Sequence, residues 1–577
     1  MAESRIKESP MERPLSRRRF LKAAGAAAAA AAVGGPAFVA PACAKGDEFD
    51  LVVAGGLLYD GLGAPPAPAD IGISGGLIKA VGRLSHSRRT PVLEARGLSV
   101  APGFIDVHDH TDFALLANPK AESAVRQGVT TVISGNCGFS PFPIAEEIFE
   151  ETKAKAKSQF GVDLAWRDLK GFFAAVEKGG TALNYATLVG HGAVRGAAMG
   201  FNDRAPKPAE LEKMKTLLAA ALRDGALGLS TGLEYTPGSF AAPAEVSVLC
   251  RVVAEGRGVY ATHMRDEGDG LIESLRESID TARSAGVKLQ ISHFKTAFPR
   301  NWNKLDASLA LIEGARRDGL DISCDRYPYI AGSTGLSLHF PAWARQGTTV
   351  EFLMRLKDPY QDKTLREYVA EREKKLGSWD KVVITDVATE KNKWTEGLDV
   401  LEASRRAGKG AYEFMRDLII EEKDAVGMVL FMMSEDNLKR ILAHPLVGVG
   451  SDSSIRAPYG ILSSGKPHPR TYGTFPRILA KYVRQDKIAP AETMIMKMTS
   501  LAAAKFGLAG RGVVRPGAFA DLVVFDPAAV ADRATWKDPH RYPAGIVHVV
   551  VNGVAVVSEG EHTGKLPGRV LRKATPA

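Results

Sequence analysis

The sequence predicts an α/β protein built around a parallel (β/α)8 barrel of the TIM type, with a small β-sandwich domain formed by both chain ends. Three observations support this prediction. The middle of the chain alternates short apolar segments with amphipathic segments whose apolar residues recur at helical spacing. Both ends instead carry glycine-bounded segments in which apolar and polar residues alternate, as in strands. The 577 residues, 45% hydrophobic and 24% charged, suffice for more than one globular domain.

The first element is an export signal, predicted over residues 1–44. A basic stretch at residues 16–19 precedes a long run of small apolar residues and an Ala-Cys-Ala end. The arginine pair ahead of Phe20 resembles a twin-arginine signal, which predicts a periplasmic or secreted protein without stable membrane insertion after signal removal. A transmembrane anchor is the alternative, disfavoured because alanine and glycine dominate the apolar run. Lipidation of Cys43 is a minor alternative.

The next element is the small β-domain, assigned to residues 45–100 and 506–577. "FDLVVAGGLLYDG" and "ADIGISGGLIKAVG" near the start, and "GAFADLVVFDP" near the end, alternate apolar and polar residues between glycines. Because the two ends share this pattern and bracket the middle, we expect them to form one domain.

The barrel is assigned to residues 101–505. Eight strand candidates separated mostly by helix candidates indicate parallel strands joined by helices, the pattern of a (β/α)8 barrel. The strands are "FIDVHDH", "TTVISGN", "YATLVGH", "LGLSTG", "VYATHM", "KLQISHF", "DISCDRY" and "VGVGSD".

An insertion of about residues 335–445 separates the seventh and eighth strands. It is too long for one helix, and it contains a charged helical stretch and a strand-like "KVVITDV". We expect it to cover the barrel mouth and shape specificity. The alternative is a surface elaboration without a role in the site. "MVLFMM" within it predicts a buried strand, not a methionine-rich binding site.

Six polar side chains stand at the carboxyl ends of predicted strands. These ends converge on one face of a barrel, where active sites form. The six are His108 and His110 after the first strand, Cys137 after the second, His263 after the fifth, His293 after the sixth and Asp452 after the eighth.

Imidazole, thiolate and carboxylate groups are zinc ligands, so the six side chains predict a metal site. Alternate residues of a strand share a face, so both imidazoles of His108-x-His110 can point inward. Each residue alone is more often structural, but their joint placement favours the metal site. His191 ends the third strand and is expected to be structural. Cys250 lies inside an amphipathic helix pattern and Cys324 inside a strand pattern, so both are expected in the core. The odd number of cysteines after signal removal disfavours a disulfide framework.

The motifs resemble those of the N-acyl-D-amino-acid deacylases, or D-aminoacylases, of the amidohydrolase superfamily. The resemblance covers most of residues 49–560. The Asn-Cys-Gly stretch is its most discriminating part, because most dinuclear amidohydrolases bridge their metals with a carboxylated lysine, whereas this family uses a cysteine. It is carried by "PGFIDVHDHTD", "GVTTVISGNCGFS", "GHGAVRG", "GLSTGLEYTPG", "THMRDEGD", "ISHFK", "DRYPYIAGSTGL" and "VGSDS".

The resemblance implies a role for each site residue. One zinc ion is bound tightly, and a second, weaker zinc position lies beside it, with the cysteine able to bridge the two. Asp452 is the catalytic acid and base. The remaining roles are tight zinc binding by Cys137, His263 and His293, weak zinc binding by His108 and His110, and binding of the substrate carboxylate by Lys295, Tyr327 and Ser333 with help from Arg345.

The implied reaction is hydrolysis of an N-acyl-D-amino acid to a carboxylate and a free D-amino acid. A cyclic-amide hydrolase of the dihydroorotase or hydantoinase type is one alternative, which a bridging lysine after the fourth strand would favour; "LGLSTGLEY" has none. An inactive periplasmic binding protein is another. Nucleic acid is not an expected partner, because no Lys/Arg block with interleaved aromatics occurs. The expected partner is a small N-acyl amino acid.

Overall fold

The computed structural model describes residues 49–573. The predicted export signal lies outside these residues. The strands are β1 Leu51–Leu58, β2 Ala67–Ser74, β3 Leu77–Gly82, β4 Val92–Glu94, β5 Ser99–Pro102, β6 Phe104–Asp106, β7 Val129–Ser134, β8 Asn184–Thr187, β9 Val189–Gly190, β10 Gly228–Gly232, β11 Val259–His263, β12 Lys288–Ile291, β13 Ile322–Arg326, β14 Ala331–Gly335, β15 Val382–Val387, β16 Val426–Phe431, β17 Val447–Val449, β18 Leu522–Phe525, β19 Ile546–Val551, β20 Val554–Ser558 and β21 Glu561–His562.

The helices lie mainly between the barrel strands and inside the insertion. They are α1 Asp112–Ala117, α2 Glu122–Val125, α3 Phe149–Phe160, α4 Leu169–Gly179, α5 His191–Met199, α6 Pro208–Asp224, α7 Pro243–Glu255, α8 Leu271–Ala285, α9 Leu305–Arg317, α10 Thr349–Lys357, α11 Pro359–Leu376, α12 Val400–Arg406, α13 Ala411–Glu421, α14 Glu435–Ala443, α15 Arg470–Arg477, α16 Ala491–Met498 and α17 Ser500–Phe506. Within the described part of the chain, no helix is long and apolar enough to cross a membrane.

The eight predicted strand segments form the barrel. Strands β6, β7 and β8 pair in parallel, and β9 to β13 and β17 form a second parallel run. The two runs join at Leu188, whose amide donates to Ser134 O at 2.9 Å between β8 and β9. The ring closes where the amide of Asp452 donates to His108 O at 2.7 Å and that of His110 donates to Ser453 O at 2.8 Å. This agrees with the predicted (β/α)8 barrel.

Helix α8 shows why the intervening segments are helical. Leu271, Leu275, Ile279 and Ala282 recur every three or four residues and are all buried, so one face packs against the barrel. Burying each large apolar side chain contributes about 1.5–3 kcal/mol. The helix ends at Gly286, whose φ of 67° suits glycine because a Cβ is disfavoured there.

The two chain ends form one nine-stranded sheet in the order β21-β20-β19-β18-β5-β1-β2-β3, with β4 beside β1. Its antiparallel β18–β5 pair joins the N-terminal and C-terminal parts, so hydrogen bonding is continuous across the domain. A single apolar core includes Val53 and Ile71 from one end and Leu522 and Val550 from the other. The final segment then returns to the barrel, where the amide of Leu571 donates to Tyr185 O at 2.7 Å. The domain limits given above stay a prediction.

The insertion forms a small unit between β13 and β17. Strands β14, β16 and β15 make an antiparallel sheet, and α10 to α13 pack against it around their own apolar core. The predicted strand "KVVITDV" corresponds to β15. Met428, Val429 and Leu430 are buried in β16, as the packing interpretation of "MVLFMM" expected.

Candidate metal and active site

The carboxyl ends of the barrel strands surround a cavity of about 650 Å³. Five of the six predicted donors line it, and the sixth, His108, is fully buried beneath them in contact with Cys137 and Asp452. Donors from strands far apart in the sequence therefore meet in one place, as the barrel topology predicts.

One donor group comprises His108, Cys137, His293 and Asp452, whose ligand atoms all lie within 4.8 Å of one another. The Sγ of Cys137 lies 3.3 Å from His108 Nε2 and 3.5 Å from His293 Nε2. All four are buried, so the protein shields their polar atoms from bulk water. A mixed nitrogen, sulfur and oxygen set of this kind is typical of zinc.

A second donor group, made of His263, Glu267 and His293, shares one imidazole with the first. The Nδ1 atom of His263 is buried without a hydrogen-bond partner, whereas its Nε2 lies 3.1 Å from Glu234 Oε2. An unpaired buried nitrogen is costly and therefore calls for a ligand. The donor chemistry and this nitrogen both fit a zinc ion.

The backbone at three donors has an uncommon conformation. Cys137, His293 and Asp452 have φ values of 52°, 34° and 53°, in the left-handed region that costs non-glycine residues energy. Next to the cysteine, Gly138 has φ 77°, and a Cβ there would lie 2.7 Å from the amide nitrogen of Gly232. The surrounding contacts hold these turns so that the side chains point into the site.

Buried carboxylates support two of the imidazoles from behind. His108 Nδ1 lies 3.0 Å from Asp325 Oδ1, and His293 Nδ1 lies 2.9 Å from Glu267 Oε1. Asp325 also accepts a hydrogen bond from the His293 amide at 2.8 Å. At His108 this contact fixes the tautomer, and at His293 the Nδ1 is held by Glu267 and Lys295, so that in each ring the other nitrogen is left for a metal. In both residues that nitrogen is Nε2, which faces Cys137.

The electrostatic environment favours the charged forms of Cys137 and Asp452. Burial alone would raise the pKa of the thiol, but the imidazoles of His108 and His293 hold the pKa well below its usual value. Burial likewise opposes ionisation of Asp452, yet Arg470 and His108 hold its pKa well below the usual range. A thiolate is the form that ligates metal, and a carboxylate is the form that accepts a proton.

Asp452 lies between the histidine pair and a buried arginine. Its Oδ1 is 3.1 Å from His110 Nε2 and 3.4 Å from His108 Nε2, and its Oδ2 is 2.8 Å from Arg470 Nη1. The carboxylate is therefore oriented at both oxygens.

The four predicted substrate-binding residues, Lys295, Tyr327, Ser333 and Arg345, all line the cavity. Lys295 forms a buried ion pair with Glu267, and its Nζ lies 2.7 Å from His293 Nδ1. This pairing was not visible in the sequence, and it ties the lysine to a histidine of the donor group.

Two guanidinium groups contact the ring of Tyr327, with Cζ of Arg326 at 4.1 Å and Cζ of Arg470 at 4.6 Å from the ring centroid. Such cation–π contacts hold an aromatic ring in place. Ser333 stands on β14 at the start of the insertion, so the barrel and the insertion both contribute predicted substrate-binding residues.

The insertion forms part of the cavity wall, which favours the expected covering role over a surface elaboration. Counted from β14 onward, the residues that it contributes beyond Ser333 and Arg345 are Gly332, Thr334, Gly335, Ser337, Leu338, Ala342, Tyr368, Arg372, Lys375, Leu430 and Met432.

Three other residues singled out in the sequence lie elsewhere. His191 is buried, and its Nε2 lies 2.9 Å from Glu245 Oε1, which agrees with a structural role. Cys250 in α7 and Cys324 in β13 are buried, and burial raises the pKa of both thiols. All cysteines of the described residues are free.

Sequence reasoning missed Asp325, Glu267, Glu234 and Arg470. Two of them had a signal: Asp325 is the penultimate residue of β13, and Glu267 follows His263 by four residues within "THMRDEGD". Acidic residues at strand ends beside histidine ligands are candidates for such support. Arg470 had no signal beyond its position at the start of α15.

Comparisons with known proteins agree with this geometry. The chain matches the amidohydrolase family over residues 92–337 and 380–557. It is 37% identical over 532 residues to a D-aminoacylase of Alcaligenes xylosoxydans xylosoxydans, covering 91% of this chain and 98% of that protein. An N-acyl-D-glutamate deacylase of the same organism is also 37% identical, and the match covers 91% of this chain and 97% of that protein.

A solved structure is similar over its whole length. It is the N-acyl-D-glutamate deacylase of Bordetella bronchiseptica, complexed with zinc and a phosphonate inhibitor that mimics the tetrahedral intermediate of the reaction. Its TM-score is 0.76 at 36% identity, and the match covers 91% of this chain and 100% of that chain. Residues 14–34 match the twin-arginine translocation signal.

Proposed function

This chain belongs to the amidohydrolase family, and on that premise we propose that it is a zinc-dependent enzyme that hydrolyses the amide bond of N-acyl-D-amino acids. The products are a carboxylate and a free D-amino acid. One observation carries the proposal: histidine, cysteine and aspartate donors meet, buried, at the floor of a cavity at the carboxyl ends of the barrel strands. The relatives named above support the choice of substrate, and their membership agrees with the resemblance seen in the sequence.

Cys137, His263 and His293 would hold the tightly bound zinc ion, and His108 and His110 a second, weaker one with the cysteine shared. Zinc bound there supplies a water of lowered pKa and polarises the amide carbonyl. The unpaired Nδ1 of His263 and the lowered pKa of the thiol support this assignment.

Asp452 acts as the proton acceptor and donor. Ionised beside Arg470, it accepts the proton of the attacking water and then donates it to the departing amine nitrogen. Expulsion of the amine needs that proton, because an amide anion is a very poor leaving group. The contacts with His110 and Arg470 orient both carboxylate oxygens for this task.

The substrate carboxylate would lie against Lys295, Tyr327, Ser333 and Arg345. Fixing this end of the substrate orients the scissile amide toward the zinc site and Asp452, which lowers the entropic cost of reaching the transition state. Because Lys295 also pairs with Glu267, part of its charge is already compensated. Arg345 thus becomes the main source of positive charge for the carboxylate.

Two alternatives are disfavoured by particular residues. A cyclic-amide hydrolase with a bridging lysine would place that lysine after β10, where Leu233 and Glu234 stand. An inactive binding protein would not need an oriented, ionised Asp452 beside the donor group. The twin-arginine match indicates export across the membrane, and we place the mature enzyme in the periplasm or outside the cell.

The test is turnover of a panel of N-acetyl-D- and N-acetyl-L-amino acids and of cyclic amides by the zinc-loaded enzyme, with the Asp452→Asn variant as control. We expect release of free D-amino acids that the variant loses. Cleavage confined to cyclic amides or to L-substrates would contradict the proposal, and binding without turnover would favour the inactive protein.

A further inference from the structure

Six cationic side chains line the cavity, and they differ in how their charge is compensated. Four have a carboxylate partner within 4.0 Å. The pairs are Arg265 with Glu277, Lys295 with Glu267, Lys375 with Asp269 and Arg470 with Asp452. Among the described residues, Arg345 and Arg372 have none.

Both unpaired guanidinium groups are partly withdrawn from solvent. The Nε of Arg345 donates to Phe340 O at 3.2 Å, and this is its one hydrogen bond to the described residues. Arg372 lies with Cζ at 5.6 Å from the Phe298 ring, and its Nε is buried without a hydrogen-bond partner. Both arginines interact electrostatically with the cavity carboxylate Glu234, but that carboxylate is hydrogen-bonded to His263. A desolvated guanidinium without a partner is unfavourable unless an anion binds it.

The two arginines lie in the part of the insertion outside the family match, which leaves out residues 338–379. Arg372 belongs to α11, where Tyr368, Arg372 and Lys375 recur at helical spacing and all line the cavity. This helix thus presents one polar face to the substrate space. The residues that supply the unpaired charge therefore belong to the insertion and not to the barrel.

The amino-acid carboxylate of an N-acyl amino acid supplies one negative charge, which Arg345 can pair with beside Tyr327 and Ser333. Arg372 then still lacks an anion. We propose that Arg372 binds a second carboxylate of the substrate, so that this enzyme prefers dicarboxylic N-acyl-D-amino acids. The planar guanidinium suits this task because it can donate two parallel hydrogen bonds to a carboxylate. This inference rests on the proposed function and specifies its substrate class.

The experiment compares kcat/KM for substrates that differ by one charge. A comparison of N-acetyl-D-glutamate with N-acetyl-D-glutamine tests whether a carboxylate on the amino-acid side chain is recognised. A comparison of N-succinyl-D-leucine with N-acetyl-D-leucine tests whether a carboxylate on the acyl chain is recognised. The wild-type enzyme should favour the charged member of one pair. Arg372→Gln should reduce that preference roughly 10- to 100-fold, the usual effect of losing a hydrogen bond to a charged group. Arg372→Lys, which keeps the charge, should restore part of it.

Lys375→Met is the matched control, because Lys375 lies one turn further along the same helix but is paired with Asp269 at 3.2 Å. Its charge preference should equal that of the wild type. Equal rates on charged and neutral substrates by the wild-type enzyme, or an equal loss on both members of a pair in Arg372→Gln, would overturn the inference. Failure to cleave any N-acyl-D-amino acid would instead contradict the proposed function, and the inference with it.

Discussion

The barrel rim and the insertion line the same cavity, but their charged groups are arranged differently. At the rim, the charged groups around the donors are paired: Asp325 lies behind His108, Glu267 behind His293 and Arg470 beside Asp452. In the insertion, Arg345 and Arg372 have no carboxylate partner among the described residues. Paired charges suit chemistry that needs fixed geometry, whereas unpaired charge suits recognition of a ligand that brings its own partner. We therefore expect the barrel to supply the reaction and the insertion to supply the choice of substrate.

The largest effect should follow removal of the thiolate. Cys137→Ala should lose zinc and with it measurable activity, because the sulfur contacts both His108 and His293. Metal analysis of the purified variant checks this. The control is Cys250→Ala, which removes a buried thiol in α7. A full zinc complement in Cys137→Ala would contradict the assignment of the rim as the metal site.

Loss of the proton acceptor should reduce activity less than loss of the thiolate does, but still strongly. Asp452→Asn keeps the shape of the side chain but cannot take a proton, so kcat should fall by about 10²- to 10⁴-fold. Zinc content should stay close to that of the wild type. Kinetics together with metal analysis separate the two properties, and near-normal turnover would show that another group transfers the proton.

The carboxylates behind the histidines should affect metal binding more modestly. Asp325→Asn removes the charge that fixes His108 and should weaken zinc affinity by about 10- to 100-fold. Competition with a chelator measures that affinity. Asp321→Asn is a control at the other end of the same strand, where the carboxylate pairs with Lys505 at 3.1 Å. If both variants bind zinc equally well, the supporting role of Asp325 is wrong.

The smallest effect on the metal site should come from the insertion. Leu365→Ala leaves a cavity where α11 packs into the insertion core and should lower the free energy of unfolding by about 2–5 kcal/mol. Because that core is separate from the barrel core, zinc content should not change, while KM should rise as the helix carrying Arg372 loosens. Denaturant unfolding, metal analysis and kinetics check this. Loss of zinc in this variant would show that the two regions are coupled.

The barrel and its donors could be predicted because both depend on order along the chain. Strand and helix periodicities repeat eight times, and a donor directly after a strand must lie at the rim whatever the packing. In contrast, which group a side chain pairs with depends on the direction in which that side chain points in the folded protein. Lys295 was predicted at the site from its spacing to His293, but its pairing with Glu267 needs the turn after β11 to be folded.

The insertion was the least predictable region for the same reason. Its helical pattern and the strands "KVVITDV" and "MVLFMM" were visible, but α11 is charged on most of its surface, so the sequence did not show which charges face the cavity. Arg372 is distinguished from Lys374 and Lys375 by packing alone. No local pattern could mark it as the cation without a partner.

X-ray absorption at the zinc edge of the zinc-loaded wild-type enzyme tests the central claim most directly, because it reports the atoms that surround the metal. We predict a shell in which the sulfur of Cys137 lies at about 2.3 Å and imidazole nitrogen at about 2.0–2.1 Å from the zinc ion. A shell of nitrogen and oxygen without sulfur would contradict it.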